Sequence, residues 1–274
     1  MLLNIKNPDK VLIFDIKGSL AHFRKYYTNS SSLSYSFPPR TVITGLIAGL
    51  LGYANERAKA GERIYYELFS TENCKVAVSL LTRIKKVMQT VNYIKTKTDQ
   101  ASAYSFESLI TGNRGAPTQI PIEILMSDNG IMQDVVYRVY FHHNDEEGIY
   151  TNLKNRLENQ RFVYPPYLGI SEFIASINHV YEGKLENNPN DTVEIKTICR
   201  LEDIEPDFKE NNLQYLIEKM PVDFLNDRTP LKPENYIFEM KNRYLKAKLK
   251  NNAASYLVCY EDIGSTITEN IMFM

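Results

Sequence analysis

The chain has 274 residues, 43% hydrophobic and 24% charged, enough apolar material to bury a substantial core as one elaborated domain or two small ones, which excludes disorder of the whole. The formal net charge of −1 alone counts against a polyanionic partner, yet residues 1–118 carry 16 Lys and Arg against 8 Asp and Glu while the remainder carries 16 against 25. Three scattered cysteines, Cys74, Cys199 and Cys259, have no metal-type spacing, and with no signal-peptide pattern and no apolar run near the ~18 residues of a membrane span, the expectation is a cytoplasmic protein without membrane contact.

Between Lys10 and Lys17 the run VLIFDI is too short for a helix and reads as a buried first strand that ends at Gly18. Ser19 to Phe37 mixes aromatics, His22, Arg24 and Lys25 with a Ser/Asn cluster, which is loop chemistry. Pro38 and Pro39 open a helix running to about Tyr53, with Gly45, Gly49 and Gly52 on one face for close approach to another backbone. Cys74 to Leu81 alternates as a second strand. Arg83 to Arg114, with Lys85, Lys86, Lys95 and Lys97 among Tyr93, Tyr104 and Phe106, reads as a long basic hairpin or loop. Gln119 to Met126 and Met132 to Phe141 are expected to pair as a hairpin about Ser127, Asp128, Asn129 and Gly130. Asp145 to Gln160 reads as an amphipathic helix on Ile149, Leu153 and Leu157, and Leu168 to Tyr181 as an apolar stretch ending in a strand. Val193 to Leu201 is a further strand, and Lys241 to Lys250 a solvated helix face with RNA contact as the alternative.

The chain carries no phosphate-loop, dinucleotide, zincin, nucleophile-elbow or paired CxxC motif. His142 and His143 close a strand facing opposite ways and read as rim histidines. His22, followed by Phe23, Arg24, Lys25, Tyr26 and Tyr27, suits stacking on a base or, alternatively, general-base work in RNA cleavage. Cations for phosphate, aromatic faces for unpaired bases and Ser/Asn groups for sugar oxygens together suit single-stranded RNA. The equal alternative is that Tyr26, Tyr35 and Phe37 are core and the serines a flexible loop. The RNA-binding candidates are His22, Phe23, Arg24, Lys25, Tyr27, Asn29, Ser30 and Ser31 in the loop and Arg40 and Thr41 at the helix start. Arg83, Lys85, Lys86, Lys95, Lys97 and Arg114 complete the set from the basic excursion. No catalytic residue, metal ligand or cofactor is assigned.

The run FDIKGSLAHFRKYYTNSSSLSYSFPPRTVITGLIAGLLG, Phe14 to Gly52, resembles the N-terminal signature of Cas family five, the RAMP subunit of type I CRISPR Cascade complexes. The matching parts are the first strand, Gly18, the aromatic-Arg pair Phe23 and Arg24, and the PPR-T-x-x-x-G helix start at Pro38 to Gly45. APTQIPIEIL from Ala116 and YPPYLGISEF from Tyr164 are similar to the subtype I-B branch. The resemblance implies an α+β fold, a ferredoxin-like (RRM/RAMP) domain over residues 1–182 with a basic β-hairpin thumb inserted at 83–118, and a smaller β-rich C-terminal extension at 183–274. It also implies a non-catalytic subunit in antiviral defence that binds the 5′ handle of crRNA and contacts the Cascade backbone RAMP subunit and large subunit, with target DNA near the PAM as a further candidate partner. In the related subtype I-C the family member cuts precursor RNA, so metal-independent endoribonuclease is the alternative, and a protein-interaction module without RNA contact is the third.

Overall fold

A computed structural model describes residues 8–28, 31–54, 64–94, 117–209, 213–225, 229–231, 233–250 and 253–274. In chain order the elements are β1 (Lys10–Gly18), β2 (Phe23–Arg24), β3 (Ser34–Tyr35), α1 (Arg40–Leu51), α2 (Tyr65–Leu68), β4 (Cys74–Leu80), β5 (Ile84–Ile94), β6 (Pro117–Ser127) and β7 (Val135–His143). There follow α3 (Thr151–Glu158), β8 (Ser176–Asn187), β9 (Thr192–Ile195), β10 (Cys199–Arg200), β11 (Ile204–Pro206), β12 (Tyr215–Met220), β13 (Glu234–Glu239), β14 (Leu245–Leu249), β15 (Tyr256–Asp262) and β16 (Ser265–Ile271). The protein is mostly β. One six-stranded sheet has the order β16-β15-β8-β1-β7-β4, and two three-stranded sheets, β10-β13-β12 and β11-β14-β9, form in the C-terminal part.

β1 lies in the interior of the large sheet, antiparallel to β7 on one side and β8 on the other. Its mostly apolar run, interrupted by Asp15, is explained by burial on both faces. Leu12, Phe14 and Ile16 enter a core with Val76, Val78, Val139 and Phe141 that is roofed by Ile43, Ile47 and Leu50 of α1 and Leu153 and Leu157 of α3. Val11 and Ile13, one residue out of phase, enter a second core with Ala77, Tyr140, Val258 and Ile271. A third, smaller core holds Val193, Ile195, Leu245 and Met272 between the short sheet and the end of the chain.

α1 starts directly after Pro39, as the sequence suggests, and stops at Gly52, whose φ of 81° lets its N–H turn back to the Ala48 carbonyl (2.8 Å). Among the described residues Gly45 and Gly49 do not meet another backbone. A Cβ on Gly49 would touch nothing, and one on Gly45 would meet only the Tyr65 side chain. Before α3, Asp145 accepts the Gly148 N–H (2.9 Å), and a π-helical turn, Glu146–Tyr150, leads into the α-helix.

The expected hairpin between 119–126 and 132–141 is not formed. β6 pairs along its whole length with β5, from Ile84↔Ser127 to Ile94↔Pro117, while β7 enters the sheet between β1 and β4. The turn itself is real, since the Gly130 N–H donates to the Ser127 carbonyl (2.8 Å), but Tyr137, Val139 and Phe141 are buried only when β7 leaves β6 for the core. Lys241–Lys250 contains a strand rather than a helix. β14 sits between β11 and β9 with Leu245 and Ala247 inward and Lys246 and Lys248 outward. The boundary expected at 182/183 falls inside the continuous strand β8, and β15 and β16 extend the same sheet. Among the described residues no helix is long and apolar enough to cross a membrane.

The β15–β16 turn carries a local strain. Ile263 (φ 46°) and Gly264 (φ 77°) form a two-residue turn in which Asn-Gly is favoured, and Ile263 is 97% exposed, so its β-branched side chain buries nothing there. Ile263→Asn should raise unfolding stability by about 1 kcal/mol in urea titration. An unchanged or lower midpoint would show that the left-handed conformation is not costly at this position.

Candidate nucleic-acid interface

The loop between β1 and α1 is fastened to the outer edge of β6 at both ends. Ala21 and Leu125 exchange N–H···O=C bonds of 3.0 and 2.8 Å. The Ser32 N–H donates to the Pro121 carbonyl (2.9 Å) and the Glu123 N–H to the Ser32 carbonyl (2.9 Å). Between these anchors β2 and β3 pair through Phe23↔Tyr35 and Arg24↔Ser34. The aromatic-basic loop and the basic hairpin, read separately in the sequence, are therefore adjacent. A third segment supports them from below: the His22 N–H donates to the Leu168 carbonyl (3.0 Å). Gly169 (φ 93°) lies so close under His22 that any Cβ would strike the His22 carbonyl.

The candidate residues divide into four groups. Arg24, Arg83 and Lys85 are exposed, with Arg24 donating to the Thr28 carbonyl (3.2 Å) and Lys85 to the Asp128 carbonyl (3.1 Å). Tyr26 and Tyr27 are about half exposed and meet edge to face at 5.2 Å, and Ser31 is half-buried beside them. His22, Phe23, Arg40 and Thr41 are buried. This corrects their expected place on the surface. Phe23 packs edge-on against Tyr137 at 5.7 Å in the core. Arg40 donates to the Phe69 carbonyl (2.7 Å) and the Cys74 carbonyl (3.0 Å) and pairs with Asp223 at 3.5 Å, so it ties the start of α1 to the chain before β4 and after β12.

Lys25 and Lys86 form the fourth group. Both ammonium groups lie 3.3 Å from the same Glu218 oxygen, and Lys86 also reaches Glu123 (3.4 Å) and the Ser34 carbonyl (2.8 Å). Burial works against the charged form of Lys25, but Glu218 and Tyr27 together outweigh it and the pKa is raised. Asn29, Ser30, Lys95, Lys97 and Arg114, with Tyr104 and Phe106, lie outside the described residues. Glu123 and Glu218 were not anticipated. Glu123 breaks the apolar alternation of IPIEIL and was available as a signal, whereas Glu218 is 182 residues from Ser36, whose N–H it accepts at 2.7 Å.

Three histidines, His22, His142 and His143, are buried and hydrogen-bonded within the fold. His22 is 2% exposed, with Nδ1 2.8 Å from the Glu123 carbonyl, to which it donates, and Nε2 2.8 Å from Ser32 Oγ, from which the neutral ring accepts. His143 accepts the Asp145 N–H on Nδ1 (2.9 Å) and so donates through Nε2 to the Leu68 carbonyl (2.9 Å). Burial lowers the pKa of both rings. His142 is buried with Nδ1 3.0 Å from the Lys10 carbonyl, and His179 is exposed near the Tyr181 hydroxyl. Burial pushes the Cys74 thiol up to about 12, with Arg40 offsetting only part of the shift, so it stays a thiol at neutral pH.

A family model described as CRISPR-associated protein (Cas_Cas5) matches residues 11–240. A search of curated proteins finds no match. Among solved structures, a CRISPR protein from Archaeoglobus fulgidus is 15% identical, covers 95% of this chain and 98% of its own, and superposes with a TM-score of 0.51, a likeness of fold. A chain of a CRISPR RNA-guided surveillance complex is 12% identical over 86% of this chain and 91% of its own, with a TM-score of 0.44. A chain of the Type III-B Cmr-beta complex bound to cognate target RNA and AMPPnP is 10% identical over 86% of each, with a TM-score of 0.43.

Two outcomes follow from the buried groups. Arg40→Met leaves Asp223 without its cation and two carbonyls without their donor, and should lower stability by about 3 kcal/mol or more in denaturant titration. For His22 and His143 the unfolded chain takes up protons first, because both folded pKa values lie below the unfolded ~6.5. Their contribution to stability is complete above that pH and is lost as pH falls toward the folded values. Urea midpoints measured from about pH 7.5 down to about pH 5 should fall, and His22→Gln should flatten the decline. A midpoint independent of pH across that window contradicts neutral burial.

Proposed function

The chain belongs to the CRISPR-associated protein family (Cas_Cas5), and from that membership we propose that it is an RNA-binding subunit of a CRISPR effector complex that holds the 5′ handle of crRNA. The observation that carries this reading is the junction of the loop from Ala21 to Ser32 with the β5–β6 hairpin. It sets exposed Arg24, Tyr26 and Tyr27 beside the hairpin base that carries exposed Arg83 and Lys85. Guanidinium and ammonium groups bind phosphate and tyrosine faces stack on bases, so this edge offers both components of single-strand recognition.

On this reading β1, α1, β4, β7, α3 and β8 make a ferredoxin-like unit. Its support is the antiparallel strand order β8-β1-β7-β4 with both helices packed into one core. The β5–β6 hairpin, inserted between β4 and β7, is the thumb, extended to residue 127. The backbone RAMP subunit and the large subunit are the proposed protein partners, with target DNA near the PAM a further one, and the proposed role is non-catalytic. In favour of that role, both ring nitrogens of His22 and of His143 are engaged inside the fold. Metal-independent cleavage of precursor RNA is the competing outcome.

The purified chain should bind repeat-derived RNA with an affinity that falls as salt rises. Arg24→Ala should reduce the slope of log K against log salt by about 0.7, the value of one phosphate contact on a single strand. Repeat RNA incubated with the chain in EDTA should stay intact. Discrete products would establish the endonuclease, and a lack of salt-dependent binding would leave the protein-interaction module.

A further inference from the structure

We infer that Glu218 is a positioning residue of the RNA interface: from β12 it engages the ammonium groups of Lys25 and Lys86 in competition with phosphate and so sets how many cations the interface presents. The inference rests on the RNA-binding reading above and names a regulator of that same edge.

The geometry is a four-charge cluster in which the Lys25 side chain is 15% and the Lys86 side chain 28% exposed. Glu218 has a side chain 4% exposed, and its Oε2 accepts the Ser36 N–H at 2.7 Å, while Oε1 lies 3.2 Å from Ser36 Oγ and 3.3 Å from each lysine. On the hairpin side Glu123 accepts the Ser34 N–H (2.8 Å) and lies 3.4 Å from Lys86. Lys25 also lies over the Tyr35 ring at 5.6 Å, and the Tyr35 hydroxyl returns to the Lys219 carbonyl (3.1 Å) on β12. Two ammonium groups placed at one oxygen repel each other, and the carboxylate between them is what makes the arrangement favourable. Lysine stems are long and flexible, so once that charge is lost the ammonium groups have a short path to solvent. The loop, the hairpin and β12 contribute one or two members each, so the cluster also sets the angle at which the hairpin base meets the loop.

The neutral isostere separates charge from shape. In Glu218→Gln the amide oxygen can still accept from Ser36, but Lys25 loses its Glu218 counter-charge and Lys86 keeps only Glu123. Binding of repeat-derived RNA and of an oligouridine of equal length would be measured across a salt series for wild type, E218Q and the triple variant E218Q/K25Q/K86Q. E218Q should steepen the slope of log K against log salt by about 0.7 to 1.4, one or two added phosphate contacts on a single strand. Oligouridine affinity should rise more than repeat-RNA affinity, so discrimination falls. The triple variant should return to the wild-type slope. A folded E218Q with an unchanged slope overturns the inference, as does a triple variant that keeps the steeper slope. Wild-type chain that binds neither RNA in a salt-dependent way sinks the RNA-binding reading itself and is told apart by that control. If E218Q fails to fold, the wild type alone decides by lysine acylation followed by mass spectrometry. Lys25 and Lys86 should react several-fold more slowly than exposed Lys219, and equal rates overturn the inference.

Discussion

A strand buried on both faces and paired on both edges tolerates charge only where a partner is built in, and β1 is such a strand. Val11 to Phe14 and Ile16 are essentially without solvent contact, and Asp15 interrupts them on the face opposite the helices. Its carboxylate is met by Arg138 of β7 through two parallel bonds of 2.7 and 2.9 Å. Arg138 in turn donates to the Tyr260 hydroxyl and lies against the Tyr181 and Tyr260 rings, on β8 and β15. Breaking such a pair on one side costs about 3–5 kcal/mol, because the remaining charge stays buried. The second core is thus organised around one ion pair that draws four strands into one face.

Both faces of the sheet are occupied, and the proposed RNA-binding edge lies beyond it. It is formed by a loop and a hairpin joined to each other by backbone hydrogen bonds. The cations of that region are used in two ways that follow from side-chain chemistry. Arg40, with a planar fork of donors, is suited to two carbonyls and a carboxylate in a dry setting, and it is 1% exposed. Lys25 and Lys86, point charges on flexible stems, share one Glu218 oxygen in a partly exposed cluster.

The elements that were legible in the sequence are those whose pattern is local. β1, α1, β4 and α3 announce themselves through apolar periodicity, a Pro-Pro start and an Asp cap, all decided within a dozen residues. The partner of β6 was not legible. A genuine turn at Ser127–Gly130 between two alternating runs satisfies every local rule for a hairpin, yet the pairing is decided by which strand buries Tyr137, Val139 and Phe141, a long-range matter. The same limit applied to the site. Arg24 and Arg40 look alike in sequence, each basic and next to loop chemistry, and only the assembled core separates an exposed guanidinium from a buried one. Arg40 gave a faint sign in opening an otherwise apolar helix, where eight of the twelve residues are buried.

The C-terminal part is best understood as completing the sheet rather than following it. β4 would be a bare edge, open to pairing with another chain, but the Ile198 N–H donates to the Val78 carbonyl and the Met274 N–H to the Val76 carbonyl, each at 2.9 Å. The Lys196 N–H meets β16 at the Asn270 carbonyl (2.9 Å), so consecutive residues of one short segment, with Thr197 bonded to Met272, join both margins of the same sheet. Tyr236 and Phe238 of β13 enter the helix-side core, where Phe238 meets Phe37 at 4.8 Å, and Glu218 of β12 reaches the loop. A chain cut after β8 would lose the cover of the second face, the cap of β4 and the counter-charge of the loop lysines together. The proposed RNA-binding edge and the C-terminal strands therefore form one cooperative structure, which explains why no composition shift near residue 182 marks a boundary between them.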